Sequence, residues 1–166
     1  MAYMAYMTIN GSKQGKFKGN SGKSGRHGWI ELLSFSYSVQ SPRDAATGQA
    51  SGKRQHKPVS FGLETGSASQ QLFQALVSNE VLTDVLIEFV DTNKEGKNYV
   101  RQTIKLTNAT VSNIRPQAFV SNGTNKHGHS VMLDYEMEKI PMAFHAIEWT
   151  WVNGGKTASD DWEARP

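Results

Sequence analysis

Cysteine is absent from the 166 residues of the sequence, and its absence excludes several kinds of chemistry. Without a thiol the chain has no disulfide framework, thiolate zinc site, iron–sulfur cluster or cysteine nucleophile. Long apolar runs are missing too, so no segment is expected to insert into a membrane. The first ten residues lack a charged region followed by an apolar stretch, and no Sec signal is expected. These absences predict a soluble protein that folds in a reducing compartment.

Motifs for nucleotide and metal binding are incomplete. Asn20–Ser24 ends like a phosphate-binding loop, but Phe17 stands where that motif requires a glycine. A strand rather than a helix is expected to follow it, so we interpret the segment as a flexible solvated loop. His127 and His129 form a weak metal signal, because a third ligand would have to come from elsewhere. We therefore predict no cofactor and no metal site.

Catalytic motifs are equally scarce. No Gly-x-Ser-x-Gly nucleophile motif occurs. Asp134, Glu136 and Glu138 alternate along one candidate strand and would share a face, where paired carboxylates can carry out acid–base chemistry. Three such residues in a row more often form a solvated acidic stripe or a docking surface for a basic partner. We predict that the protein is not an enzyme, and a hydrolase acting through this stripe is kept as an alternative.

Charge is distributed unevenly, although the net charge is only +3. Residues 1–60 carry nine Lys and Arg but two acidic residues, whereas the remaining residues have a balance of −4. A basic half can indicate nucleic-acid binding. Here the cations are scattered through Gly/Ser loops with almost no aromatic side chains to stack on bases, so no nucleic-acid partner is predicted. A bipolar chain suits a protein that meets copies of itself front to back.

Apolar residues recur with a period of two, which is typical of half-buried β-strands. Four segments alternate in this way (Leu33–Val39, Val85–Phe89, Val131–Met137 and Ile147–Trp151), and Tyr99–Val111 is a longer β-prone stretch. With three shorter candidates, about eight strands are expected, separated by Gly, Asn and Ser turns. An all-β domain must close its sheet or protect its edges. We predict one domain over residues 1–166, built as a barrel of two packed β-sheets.

One segment follows a helical period instead. Ser67–Gln70 resembles a capping box, in which the serine hydroxyl and the glutamine amide satisfy free N–H groups. Leu72, Phe73 and Leu76 then recur at helical spacing. We predict a single α-helix over about residues 68–78 that covers the end or side of the barrel, with these three side chains in the core.

Four segments carry more specific patterns. They are Tyr6–Gly11 with Lys16–Ser21 and Gly28-Trp-Ile-Glu-Leu-Leu-Ser-Phe-Ser-Tyr-Ser-Val39; Thr47-Gly48 through Gly52-Lys-Arg-Gln-His-Lys-Pro58; Ser67-Ala-Ser-Gln-Gln-Leu-Phe-Gln-Ala75; and Ile147-Glu-Trp-Thr-Trp151 with Ser159-Asp-Asp-Trp162. In this order and spacing they resemble the hemolysin-coregulated protein (Hcp) family, the tube protein of bacterial type VI secretion systems. The resemblance spans nearly the whole chain.

The sequence departs from the family pattern in three places. The connection Gly11–Gly28 is longer and more basic than usual, and Asn20 stands where a glutamate is common. Gln70 precedes Leu72 where a proline often marks the start of the helix. The chain opens with Met-Ala-Tyr repeated, and residues 1–5 are interpreted as a duplicated or disordered start.

The resemblance implies a homohexameric ring. Rings would stack into a tube inside a contractile sheath, with a VgrG spike as a further partner and effectors carried in the lumen. The subunit would be made in the cytoplasm and secreted without a Sec signal. A tail-tube subunit of a phage or other contractile particle is one alternative, and a secreted protein that binds or acts on its own is another. The chain ends at Pro166, soon after the last matching segment, so a fused toxin is not expected.

The second long connection, Gln40–His56, is the expected contact between rings. It exceeds fifteen residues, and loops of that length in a compact domain are usually functional or disordered. Its basic side chains would face the acidic half of the next copy. The residues assigned to ring stacking are Arg43, Asp44, Thr47, Gly48, Lys53 and Arg54.

Overall fold

The computed structural model describes residues 4–119, 123–124, 130–131 and 135–162. Within them the chain forms fourteen β-strands and one α-helix. In chain order the elements are β1 (Met4–Gly11), β2 (Gly15–Lys16), β3 (Ile30–Ser36), β4 (Val39–Gln40), β5 (Gln55–His56), β6 (Val59–Glu64), α1 (Ser69–Val77), β7 (Leu82–Thr92), β8 (Asn98–Val111), β9 (Arg115–Phe119), β10 (Gly123–Thr124), β11 (Ser130–Val131), β12 (Tyr135–Ala143), β13 (Ala146–Trp151) and β14 (Lys156–Asp161).

Six of these strands close into a barrel. Antiparallel pairing runs through β8, β7, β1, β3, β6 and β12, and it returns to β8 through Met142 opposite Val111 and Ala143 opposite Thr110. Closure removes the free edges that an open sheet would expose. The predicted all-β barrel with a single helix is therefore confirmed, and its walls are joined into one hydrogen-bonded sheet.

The barrel interior is filled by the inward-facing side chains of all six strands. Its centre includes Met7, Phe61, Ile87, Leu106 and Ile140, each at most 1% exposed. Burying a side chain of this size stabilises the fold by roughly 1.5–3 kcal/mol relative to leaving it in water. This core makes the barrel a rigid support for the segments that project from it.

Four strands of the ten-stranded sheet lie outside the barrel: β2 pairs with β1, β9 pairs with β12, and β13 and β14 extend the sheet from β8. β13 pairs with β8 between Gln102 and Thr107, away from the closing contact with β12, and β14 adds to the other side of β13. Ile147 still reaches the core, but Trp149 and Trp151 are 53% and 43% exposed. The strand prediction was right here. Both tryptophans remain largely exposed, because their part of the apolar face lies beyond the barrel.

The helix was placed correctly but one of its core residues was not. α1 begins and ends within one residue of the predicted span. Its buried face consists of Ser69, Leu72 and Ala75, and Leu76 is partly buried against the core. Phe73 is 58% exposed, so its assignment to the core was wrong. A helix turns about 100° per residue, so the residue after Leu72 points away from the face that Leu72 buries.

The capping box is absent from the observed helix start. Ala68 occupies the N-cap position without a side-chain hydrogen bond. The Ser67 hydroxyl donates instead to the Lys18 carbonyl at 2.8 Å, and the Ser69 hydroxyl accepts from the Gly66 N–H at 2.9 Å. The hydroxyl of Ser67 therefore joins the helix to the first long connection rather than capping the helix.

The first long connection is docked on the barrel, so the interpretation of Asn20–Ser24 as a solvated flexible loop was wrong at Ser21, whereas Asn20, Gly22 and Ser24 are exposed. Ser21 is 3% exposed, and its N–H donates to the Trp29 carbonyl at 2.9 Å. The guanidinium of Arg26 pairs with the Glu88 carboxylate on β7 at 2.9 Å. The backbone bonds and this ion pair hold the loop in place.

Other predictions fall partly outside the described residues. Met4 and Ala5 pair with Val90 and Phe89 on β7, so the interpretation of a disordered start fails for these two residues. The segment from His127 to His129, Asp134 and the side chain of Glu136 lie outside the described residues. Glu138 is only 4% exposed, which is inconsistent with a solvated stripe at that position.

Among the described residues, none of the helical segments has the length and apolarity required to span a bilayer.

Truncating Leu72 should destabilise the protein far more than truncating its neighbour. Leu72→Ala removes a side chain that is 0% exposed and leaves a cavity, so we expect a loss of about 2–5 kcal/mol in the free energy of unfolding. Phe73→Ala is the matched control, expected to change it by about 0.5 kcal/mol or less because the ring is on the surface. Urea unfolding of both variants measures this, and equal losses would contradict the burial described here.

A candidate assembly site at the root of a projecting hairpin

The connection Gln40–His56 is a β-hairpin that projects from the barrel. Its root is the two-residue ladder of β4 with β5, and a further bridge joins Arg43 to Ala50. Between these pairs almost every residue is exposed. The long polar connection is therefore an ordered arm, whose tip is carried away from the barrel.

The tip is built by residues that the sequence had assigned to ring stacking. The Asp44 carboxylate accepts from the Ala46 N–H at 2.9 Å, the Thr47 N–H at 2.8 Å and the Thr47 hydroxyl at 3.1 Å. These bonds, that of the Thr47 N–H foremost, lower the pKa of Asp44. Gly48 has a φ of +71°, a conformation in which a glycine carries no steric penalty. Asp44, Thr47 and Gly48 thus form a single turn.

Two of the predicted stacking cations are held at the root instead. The Lys53 ammonium donates to the Trp162 carbonyl at 2.8 Å. The Arg54 guanidinium donates through Nε to the Asp160 carboxylate and through Nη2 to the Asp161 carbonyl at 2.6 Å. Arg43, by contrast, is exposed on the arm. Lys53 and Arg54 were expected to face the next copy, but Arg54 binds β14 of the same chain, and Lys53 binds the residue that follows β14.

His56 is buried at the centre of the root. Its side chain is 3% exposed, its Nε2 lies 2.6 Å from the Asp160 carboxylate, and its Nδ1 lies 2.6 Å from the Tyr37 hydroxyl. A carboxylate can only accept, so Nε2 carries the proton, and in the neutral ring Nδ1 accepts from Tyr37. The imidazole also packs against the rings of Phe144 and Trp162, with centroids 5.3 and 5.1 Å away.

The ionisable groups at the root shift the pKa values of Asp160 and Tyr37. The hydrogen bond from Arg54, followed by that from His56, lowers the pKa of Asp160. Burial, and then the negative charge of Asp160, raises the pKa of Tyr37. Folding lowers the pKa of Asp160. At pH values above the pKa that Asp160 has in the unfolded chain, the ionised carboxylate therefore stabilises the fold. That contribution is lost as the pH falls through the lowered value.

A shallow apolar groove lies beside the root. It has a volume of about 190 Å³, and its lining includes Tyr37, Val39, Ile147, Trp149 and Ala158. Val39 is 52% exposed, so the groove is open to solvent. Within the described ranges no three His, Asp or Glu side chains are close enough together to hold a metal ion.

Sequence reasoning singled out Arg54, although for contact with the next ring, and it missed His56, Asp160 and Trp162 at the centre of the root. Asp160 and Trp162 lie in the last matching segment, while Arg54 and His56 lie in the second. His56 and Asp160 are 104 positions apart. Each segment contributed to the family resemblance, but nothing in either one indicates that they meet in the fold.

Comparisons with known proteins agree over the whole chain. A family model described as "Type VI secretion system effector, Hcp" matches residues 6–151. The "Major exported protein" of Pseudomonas aeruginosa is 32% identical, and the match covers 99% of this chain and 98% of that protein.

Solved structures show the same similarity. A structure described as "Crystal structure of Hcp protein" superposes with a TM-score of 0.85 at 29% identity, covering 99% of this chain and 100% of the other. "Secreted protein Hcp3 from Pseudomonas aeruginosa" has a TM-score of 0.76 at 26% identity, covering 98% of this chain and 100% of the other. The barrel, the helix and the matching segments thus have one explanation: the chain belongs to the Hcp family of type VI secretion tube proteins.

Proposed function

We propose that this chain is a structural, non-enzymatic tube subunit that assembles into rings of six, and that the rings stack front to back through the hairpin. The observation that carries the proposal is the ordered arm itself. Its tip turn is built by Asp44, its root is bound to Asp160, and its surface between them is exposed. An arm held in this way can meet a partner without a large loss of conformational entropy.

Ring closure is supported by the part of the sheet outside the barrel. Trp149 and Trp151 are exposed on one face of β13, and Trp149 lines the apolar groove together with Val39 at the hairpin root. A sheet with an apolar face is stable when a second layer covers that face, and clustered exposed apolar side chains mark association surfaces. A neighbouring subunit would supply this layer. Repeating the same contact by rotation closes a ring.

Stacking is supported by the division of the hairpin into root and tip. Arg43, Asp44, Thr47 and Gly48 lie toward the exposed tip, where a ring above or below can be reached. Lys53 and Arg54 act at the root by orienting the arm. Front-to-back stacking of identical rings is a heterologous contact that continues into a tube.

The wider function follows from the family. The tube would lie within a contractile sheath, meet a VgrG spike and carry effectors in its lumen. The relative named "Major exported protein" supports the export of this chain too.

Light scattering of the purified protein should give about six times the mass of one chain. The physical reason is the apolar face around Trp149, which a ring contact would cover. Negative-stain images of the same peak should show rings with a central hole. A single-chain mass across a concentration series would contradict the proposed ring.

Deleting Thr47–Gly52 should leave rings intact but prevent their growth into tubes. The deletion removes the tip of the hairpin and leaves Lys53, Arg54 and the barrel unchanged. We expect the ring mass of the wild type by light scattering, fewer and shorter tubes by electron microscopy, and impaired secretion. Normal secretion by this variant would refute the stacking role of the hairpin.

A single charge provides a finer test of the same contact. Arg43→Ala should weaken tube growth several-fold, because this exposed cation lies toward the tip. Lys105→Ala is the matched control: Lys105 is also exposed, but it lies in the middle of β8 and 3.5 Å from Asp84. Electron microscopy and sedimentation compare the two variants. An equal effect of both on tube length would show that tip charge has no special part in stacking.

A further inference from the structure

One carboxylate connects the projecting hairpin to the last strand of the sheet. The same Asp160 oxygen, Oδ2, accepts from Arg54 Nε and from His56 Nε2. Arg54 and His56 flank Gln55, so in an extended chain their side chains lie on the same face. Charged hydrogen bonds are stronger than neutral ones, and here two donors meet a single acceptor. We call this arrangement of Asp160, Arg54 and His56 the clamp.

The ladder of the hairpin does not continue into the barrel sheet. β4 and β5 form a separate two-stranded sheet, in which two residue pairs and a single bridge beyond them join the strands of the hairpin to each other. An isolated two-stranded hairpin is only marginally stable in water. The contacts at the root therefore determine how the arm is held relative to the barrel, and Asp160 is the acceptor on which two of them meet.

We propose that Asp160 is a positioning residue, which fixes the direction of the Gln40–His56 hairpin so that its tip meets the next ring. The inference rests on the proposed stacking function. It goes beyond that function because it assigns the orientation of the hairpin to Asp160, which is 104 positions from His56 in the sequence. The clamp acts through Arg54 and His56, and Asp160 itself need not touch the neighbouring ring.

The central experiment compares Asp160→Asn with Asp161→Asn. The first variant keeps the shape of the side chain but removes the charge that Arg54 and His56 share. The second removes a charge one residue away: the Asp161 carboxylate lies 3.4 Å from His145, and the backbone carbonyl of Asp161 accepts from Arg54. Asp161→Asn therefore matches the change in net charge while keeping the Asp160 carboxylate and its two donors.

Hydrogen exchange measures the hairpin directly. The Asp44 N–H donates to the Gln49 carbonyl and the Ser51 N–H to the Pro42 carbonyl, so both report on the arm. In Asp160→Asn we expect their exchange to become about tenfold faster, because a charged hydrogen bond is lost. Barrel amides should keep wild-type rates. Asp161→Asn should leave the arm unchanged, and Asp160→Glu, which retains the charge, should restore much of the protection.

Tube growth gives the functional readout. Asp160→Asn should form normal rings and grow few tubes, and Asp160→Glu should recover growth in part. If Asp160→Asn does not fold, Arg54→Gln removes one of the two donors to Asp160, and it should also give faster exchange in the hairpin and fewer tubes.

The outcomes separate this inference from the proposed function. Unchanged exchange in the hairpin of Asp160→Asn would overturn the positioning role, whatever the tubes do. Faster exchange with normal tube growth would overturn the link between the clamp and stacking. A wild-type protein without rings would refute the proposed assembly, while the exchange data would still decide whether Asp160 holds the arm.

Discussion

The pairing of β8 with β12 is the constraint on which the rest of the molecule depends. It consists of Met142 opposite Val111 and Ala143 opposite Thr110, and it converts a row of antiparallel strands into a closed wall. Closure encloses the core around Met7 and removes the unpaired edges of both strands at this point. Because the contact involves only one end of β8, the middle of that strand remains available to β13.

The elements with a proposed role in assembly, the hairpin and the strands β13 and β14, are attached to the outside of the barrel. β13 and β14 leave the barrel at β8 and carry the exposed tryptophans. The hairpin leaves between β3 and β6, and its root meets β14 through Asp160. The hairpin and the strand pair β13–β14 are far apart in the sequence, but they contact each other outside the barrel through Asp160. The apolar groove lies where they meet, with Val39 from one and Trp149 from the other.

The sequence predicted the strands and the helix better than the direction of particular side chains. Period-two alternation located β13, but it contained no information on where the barrel would close, so it could not show that Trp149 lies outside the core. In β3 a register shift between Leu32 and Ser34 leaves Leu33 59% exposed. A bulge of this kind reverses the side-chain alternation at one residue, and alternation alone cannot reveal it. Helical spacing likewise grouped Phe73 with Leu72 although they point in different directions.

The candidate site could be predicted only in part for a related reason. The tip turn is local, since Asp44 and Thr47 are three residues apart and bind each other. The root depends on a contact between His56 and Asp160 across 104 positions, which the barrel topology brings about. Local chemistry in a sequence can indicate a turn. A long-range clamp becomes visible only when the path of the strands is known.

A subunit that assembles with copies of itself must avoid non-specific strand pairing. The charged residues of β14 disfavour such pairing. Among the strands that the structure describes, β14 ends the sheet, and an unpaired strand edge invites unspecific pairing with other strands. Lys156, Asp160 and Asp161 place charges along that strand, which disfavours such pairing. In the proposed assembly, association occurs instead through the hairpin tip and the apolar groove. Because Asp160 both charges the edge strand and holds the hairpin, the protection of the edge and the presentation of the arm depend on the same side chain.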